Sequence, residues 1–97
     1  MAAYMIARVK VTDPTRYKKY VESTLPTIEK FGGRFLARGG RTVTFEGPEE
    51  TRRIVILEFP SLERAQQWYA SEDYQTVKKL RVGAAEGKFI VVDGVSS

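Results

Sequence analysis

EFPSLERAQQWYASEDYQTVKKLR, residues 58–81, decides how this chain is read. Glu58 and Phe59 close an apolar strand that Pro60 cannot extend, because proline brings no N–H to a ladder. Ser61 stands where a helix N-cap belongs, with Glu63 near the positive end of the helix dipole. Leu62, Ala65, Trp68 and Tyr69 share one helical stripe. Ser71, followed by Glu72 and Asp73, reads as a second cap, and Tyr74, Val77 and Leu80 mark a short helix before Gly83. The stretch is a strand end followed by a capped, two-part helix.

Working upstream, RRIVILEF (52–59) is the most apolar strand and suits a central position in a sheet. The residues before it, 34–46, read as an extended segment with a bulge or bend at Gly39-Gly40, followed by a turn at Gly47-Pro48. Residues 14–31 repeat Tyr17, Val21, Leu25, Ile28 and Phe31 at helical spacing, opened by Asp13-Pro14 and closed by Gly32-Gly33. Pro26 inside that pattern forfeits a hydrogen bond and costs about 3 kcal/mol unless relieved, so a kink is expected near Glu22 to Leu25. YMIARVKVT (4–12) alternates as a strand, KFIVVDG (88–94) supplies the last one, and Ser96 and Ser97 are expected to fray.

The order is strand, helix, strand, strand, helix, strand. In one domain spanning residues 1–97, that order predicts an α+β, ferredoxin-like βαββαβ fold: a four-stranded antiparallel sheet with both helices on one face. Strand 52–59 is apolar on both sides, with Ile54 and Ile56 opposing Val55, Leu57 and Phe59. The face away from the helices therefore needs cover, and a sheet-to-sheet homodimer provides it.

Composition narrows the chemistry. The chain has no Cys and no His, which removes disulfides, thiolate nucleophiles, Ser-His-Asp relays, imidazole metal ligands and a proximal haem histidine. No metal and no cofactor is expected. The net charge of +4, from 16 basic and 12 acidic residues, is dispersed along the chain rather than clustered on one element, which argues against nucleic acid. No apolar run approaches the roughly 20 residues that span a bilayer, and the N-terminal segment alternates like a strand rather than a signal peptide. A cytoplasmic protein without a membrane partner is the expectation.

Proton transfer and substrate polarisation are left to Asp, Glu, Lys, Tyr, Arg and backbone amides. Trp68 and Tyr69 read either as an aromatic wall of a ligand pocket or as core. Ser71 and Tyr74 present two hydroxyls to a ligand, or else a cap and a packed ring. Arg38, immediately before Gly39-Gly40, suits a bidentate carboxylate contact or an ion pair with Glu46 or Glu58. Arg81 is a second carboxylate-binding candidate. Glu58 is a general base if it faces the helices and a surface acid if it faces away; alternation leaves that open. Tyr17 and Tyr20 can line the same cavity from the first helix.

Five motifs in order, DPxxYxxY (13–20), GGRFLARGG (32–40), FEG (45–47), EFPS (58–61) and AxxWYxSxxYQ (65–75), with Arg81 after them, make the chain resemble the domain-of-unknown-function 1330 family of the dimeric α+β barrel superfamily. The resemblance covers nearly the whole chain. It implies sheets that pair into a barrel across a dimer, and a pocket between sheet and helices for small aromatic or polyketide-like molecules. The superfamily it points to includes cofactor-independent monooxygenases, haem-degrading enzymes, lactone isomerases and ligand-sensing modules, so fold alone does not choose among them.

The expectation is therefore a homodimer binding a small acidic or aromatic molecule. It is either a cofactor-independent oxygenase or isomerase, with Glu58 or Tyr74 moving a proton, or a non-catalytic dimer that binds a metabolite or another protein. A polar, open cavity lined by Arg38 and Trp68, with Glu58 facing it, favours the enzyme. A cavity filled by the aromatics themselves favours the second.

Overall fold

The computed structural model describes residues 1–95. Four strands, β1 (Ala3–Val11), β2 (Arg34–Arg38), β3 (Arg53–Phe59) and β4 (Ala85–Asp93), and three helices, α1 (Pro14–Lys30), α2 (Leu62–Ala70) and α3 (Glu72–Lys78), follow the ferredoxin-like order. The strands form one antiparallel sheet in the order β2-β3-β1-β4. β3 is central, as its apolar run requires.

The expected barrel is not there. The sheet is open, with β2 and β4 at opposite edges and unpaired to one another. Closure requires the two edges to meet, and β2, only five residues long, is separated from β4 by the two strands β3 and β1. The architecture is an open four-stranded sheet with helices on one face.

Local chemistry sets the helix ends. The Asp13 carboxylate accepts from the Arg16 N–H at 3.1 Å and Pro14 takes the first helical position. At the other end, Gly33 N–H donates to Ile28 O and Gly32 N–H to Glu29 O, the Schellman pair, with Gly32 at φ +79°. The helix runs without a break through Pro26. Glu22 and Pro26 are both exposed, so the carbonyl that Pro26 leaves without a donor can turn to water. Ser61 caps α2 by accepting from Arg64 N–H, and Ser71 both donates to Trp68 O at the end of α2 and accepts from Tyr74 N–H at the start of α3.

The segment after β2 differs from the expected extended run. β2 stops at Arg38, its bulge lies between Phe35 and Ala37 rather than at the glycines, and residues 40–52 carry no strand. Gly39, at φ +70°, turns the chain and donates to Ile54 O at 2.9 Å. The Arg53 guanidinium fills the space a Cβ on Gly39 would take. Glu50 holds the loop instead of a ladder. Its carboxylate accepts from Arg8 Nε at 3.0 Å and from Arg52 N–H at 3.0 Å, while its own N–H donates to Thr44 Oγ1 at 2.9 Å. Phe45 is left 92% exposed. β4 begins at Ala85, three residues before the expected start; Ser96 and Ser97 lie outside the described residues.

Alternation now assigns the two faces. Met5, Ala7, Val9, Val55, Leu57 and Phe59 are buried against the helices with Tyr17, Tyr20, Ile28, Ala65, Trp68 and Tyr74. Ile6, Ile54, Ile56, Ile90 and Val92 lie on the open face, Ile90 and Val92 about half exposed at 49% and 50%. Glu58 is on this open face. Its carboxylate pairs with Arg34 at 3.3 Å, not with Arg38, and points away from the helices and from Trp68.

Candidate functional site

Between the helices and the sheet lies a layer of aromatic rings bound together by hydroxyl groups. Trp68, 1% exposed, stacks against Phe59 with centroids 5.3 Å apart and against Tyr74 at 4.1 Å. Its indole N–H donates to Thr27 Oγ1 at 3.0 Å, and that hydroxyl donates on to Thr24 O at 2.7 Å. Tyr74 is fully buried and shares a 2.9 Å hydrogen bond between its hydroxyl and that of Tyr20. Trp68 thus has its polar handle committed inside the protein, and Tyr74 lies behind the rings rather than at a surface. Burial, followed by the neighbouring Tyr74 hydroxyl, pushes the Tyr20 phenol far above its ordinary range. Burial also raises the Tyr17 phenol, opposed by the Arg53 and Arg81 guanidiniums.

Three guanidiniums meet this layer. Arg53 shares the face of Val55, Leu57 and Phe59, with its guanidinium carbon 5.6 Å from the Tyr17 centroid. Arg81 stacks between Phe89 at 4.4 Å and Tyr20 at 5.7 Å. Arg38 is exposed at the rim, 4.9 Å above Phe35. The Nε atoms of Arg53 and Arg81 are buried and have no hydrogen-bond partner. Among the described residues, the ion pairs are Arg8–Glu50, Lys30–Asp73 and Arg34–Glu58, so none of the three guanidiniums has a carboxylate partner.

Among the spaces that adjoin the layer, two share a wall. The α1 backbone lies nearer to α3 than to any strand, and the gap between α1 and the sheet holds an inner cavity of about 30 Å³ walled by Tyr17, Tyr20, Arg38, Arg53, Trp68 and Phe89 among others. That is room for a water-sized group and not for a ring. On the other side, between α2 and β4, a cleft of about 500 Å³ is walled by Trp68, Tyr69, Ala65, Phe89 and Val91. Tyr69 is exposed at its edge, its hydroxyl accepting from Lys78 Nζ at 2.9 Å.

The structure brings Arg38, Tyr17, Tyr20 and Trp68 together around the cavity, and Trp68 and Tyr69 around the cleft. Arg81 and Tyr74 stand one layer behind. Glu58 is on the opposite face, and Ser71 spends its hydroxyl on the α2–α3 junction. Two residues at the site were not singled out from the sequence, Arg53 and Phe89. Arg53 carried a signal: it is a charged residue in phase with Val55, Leu57 and Phe59. No group of three His, Cys, Asp or Glu among the described residues is placed to hold a metal ion. No helix among them is long and apolar enough to cross a membrane.

The crystal structure of a protein of unknown function from Rhodopseudomonas palustris is similar over 99% of this chain and 84% of its own, with a TM-score of 0.78 and 21% identity. SnoaB, a cofactor-independent oxygenase from Streptomyces nogalater, is similar over 99% of this chain and 95% of its own, with a TM-score of 0.70 and 10% identity. A dimeric protein of unknown function and ferredoxin-like fold from Bacteroides fragilis is similar over 96% of each chain, with a TM-score of 0.56 and 16% identity. At these identities the likeness establishes the fold alone. A search of curated proteins finds no match. The model of the domain of unknown function DUF1330 matches residues 2–95, and the chain belongs to that family.

Proposed function

We propose that this protein binds a small acidic aromatic molecule as its anion, in the layer between the helices and the sheet. The observation that carries this reading is the set of three guanidiniums, Arg38, Arg53 and Arg81, that meet an aromatic layer without a carboxylate partner among the described residues. Guanidinium recognises carboxylate bidentately and gains most where water is excluded. The inner cavity, about 30 Å³, has no room for a ring, so the ring of the ligand seats outside it. The lining contains no carboxylate. Glu58 faces away, so no acidic side chain is placed to take a proton from a bound molecule, and the ligand enters already ionised. This favours a binding protein.

Cofactor-independent oxygenation is the second reading, favoured by the same guanidiniums, which suit an enolate or phenolate, and by the fold shared with SnoaB. Titrating the single tryptophan with a panel of aryl carboxylates and their neutral amides tests the first reading, and oxygen uptake with any ligand found tests the second. Acids are expected to bind at least tenfold more tightly than their amides, a discrimination of about 1.4 kcal/mol. Equal affinities, or no binding below millimolar concentration, overturn the proposal.

The open sheet face supports association of two copies. Ile6, Ile54, Ile56, Ile90 and Val92 form an apolar field edged by Arg34–Glu58 and Arg8–Glu50. A rim carrying both signs is self-complementary under a twofold axis.

A further inference from the structure

Met5, Trp68 and Phe89 belong to both the inner cavity and the α2–β4 cleft, so they form the wall between them. They are held very differently. Trp68 is fixed by its stacking and by the bond to Thr27. Met5 is buried and unbranched, a side chain that adapts to its surroundings. Phe89 is half-buried on an edge strand. Its ring folds back over Gly87, where an added Cβ would come within 2.8 Å of the ring carbon Cε2. The ring packs against the core and lies against Arg81, whose guanidinium carbon is 4.4 Å from the ring centroid. Glycine at position 87 thus gives the ring its resting place, and the ring screens Arg81 from the cleft.

The geometry points to a bipartite site: the aromatic body of an aryl carboxylate seats in the α2–β4 cleft, and its carboxylate reaches Arg81 when Phe89 swings off Gly87. The size of the spaces supports this, since a ring does not fit a cavity of about 30 Å³ and does fit a cleft of about 500 Å³. The groove on the other side, lined by Val11, Pro14, Lys18, Val21 and Arg53, offers a single ring, that of Tyr17. The cleft offers three: Trp68, Tyr69 and Phe89. Arg81 supplies the charge, with a buried Nε lacking an acceptor and no carboxylate partner among the described residues. This site rests on the proposed function and deepens it, assigning the ring's seat to the cleft, the anion contact to Arg81 and control of entry to Phe89.

Stopped-flow binding of 2-naphthoate, read by Trp68 fluorescence, tests it. Phe89→Ala removes the ring; Gly87→Ala keeps the ring and denies it its resting place. Both are expected to raise the association rate roughly tenfold, because a conformational step before binding is removed, and both are expected to raise acrylamide quenching of Trp68. Arg81→Met is expected to weaken 2-naphthoate at least tenfold and leave 2-naphthamide unchanged. If 2-naphthoate binds in preference to the amide but its association rate is the same in both opened variants, the Phe89 gate is overturned and the proposed function stands. If 2-naphthoate binds neither the wild type nor the opened variants, both are overturned.

Discussion

The guanidinium of Arg53 lies over the ring of Tyr17, 5.6 Å from its centroid, on a strand face whose other members are the buried Val55, Leu57 and Phe59. A charge in phase with a core stripe and without an anionic partner among the described residues is expensive to fold around, and such a position is where replacement by an apolar residue costs little or stabilises. Arg53→Met is therefore expected to leave urea stability unchanged or to raise it by about 1 kcal/mol, while weakening aryl carboxylates at least tenfold. A loss of more than about 2 kcal/mol in the urea melt would show that Arg53 is there for packing instead.

Trp68 and Thr27 allow the core role of the indole to be separated from any ligand role. Thr27→Val strands the buried indole N–H and is expected to cost about 1–3 kcal/mol. Trp68→Phe removes the same donor along with ring volume. The double variant, in which neither polar partner remains, should be more stable than the sum of the two single losses predicts. Strict additivity in denaturant melts would mean that the bond contributes nothing.

How much of this was legible in the chain depends on whether the cause is local. Asp13, Ser61 and Ser71 were readable as caps because a cap is satisfied within three residues. Thr42 to Phe45 alternate as a strand would, yet form none, because a strand needs a partner and the loop's polar groups are held by Glu50. The face of Glu58 could not be assigned because β3 is apolar on both sides, and only pairing to β1 and β2 fixes which side meets the helices. The size of the cavity was hidden for a further reason: it is set by how Trp68, Tyr74 and Tyr20 fill the layer, which spacing along the chain does not encode. Arg53 was within reach of the alternation rule, and the adjacent Arg52 made the pair look like surface charge.

The open face gives a prediction about assembly. Light scattering at micromolar concentration is expected to give twice the mass of the 11.0 kDa chain. Ile56→Lys, at the centre of the apolar field, is expected to give a folded monomer with unchanged far-ultraviolet circular dichroism. A wild-type monomer would remove the sheet-packing proposal without touching the ligand site.

Glu50 ties the 40–52 loop to β1, and hydrogen bonds from Arg52 N–H and Arg8, with the charges of the two arginines, hold its carboxyl below the usual carboxylate value. A carboxyl with a depressed folded pKa stabilises the folded arrangement above its unfolded pKa, and that contribution is lost as pH falls through the folded value. Amide exchange in residues 40–52 should therefore accelerate, relative to that of α1, as pH drops below about 4. In Glu50→Gln the loop should exchange fast at every pH. A loop whose protection is the same at neutral and acid pH in the wild type would show that the Arg8 contact does not hold it.

The Tyr20–Tyr74 pair sets the behaviour at the alkaline end. Tyr20 is raised by burial and then by Tyr74, so the folded state keeps the phenol proton where the unfolded chain releases it. The sign follows directly: the contribution is complete below the unfolded phenol value near pH 10, and declines as pH rises from there toward the folded value. Tyr17, also raised by burial, adds to the same slope. Urea melts from pH 9 to 11 are expected to show stability falling above about pH 10, by up to about 1.4 kcal/mol per pH unit for each phenol. In Tyr20→Phe the slope should lessen by about one proton's worth, although the variant begins less stable because Tyr74 loses its 2.9 Å partner. If the slope is the same in wild type and Tyr20→Phe, Tyr20 is titrating freely in the folded protein, and its burial between the helices and the sheet is wrong.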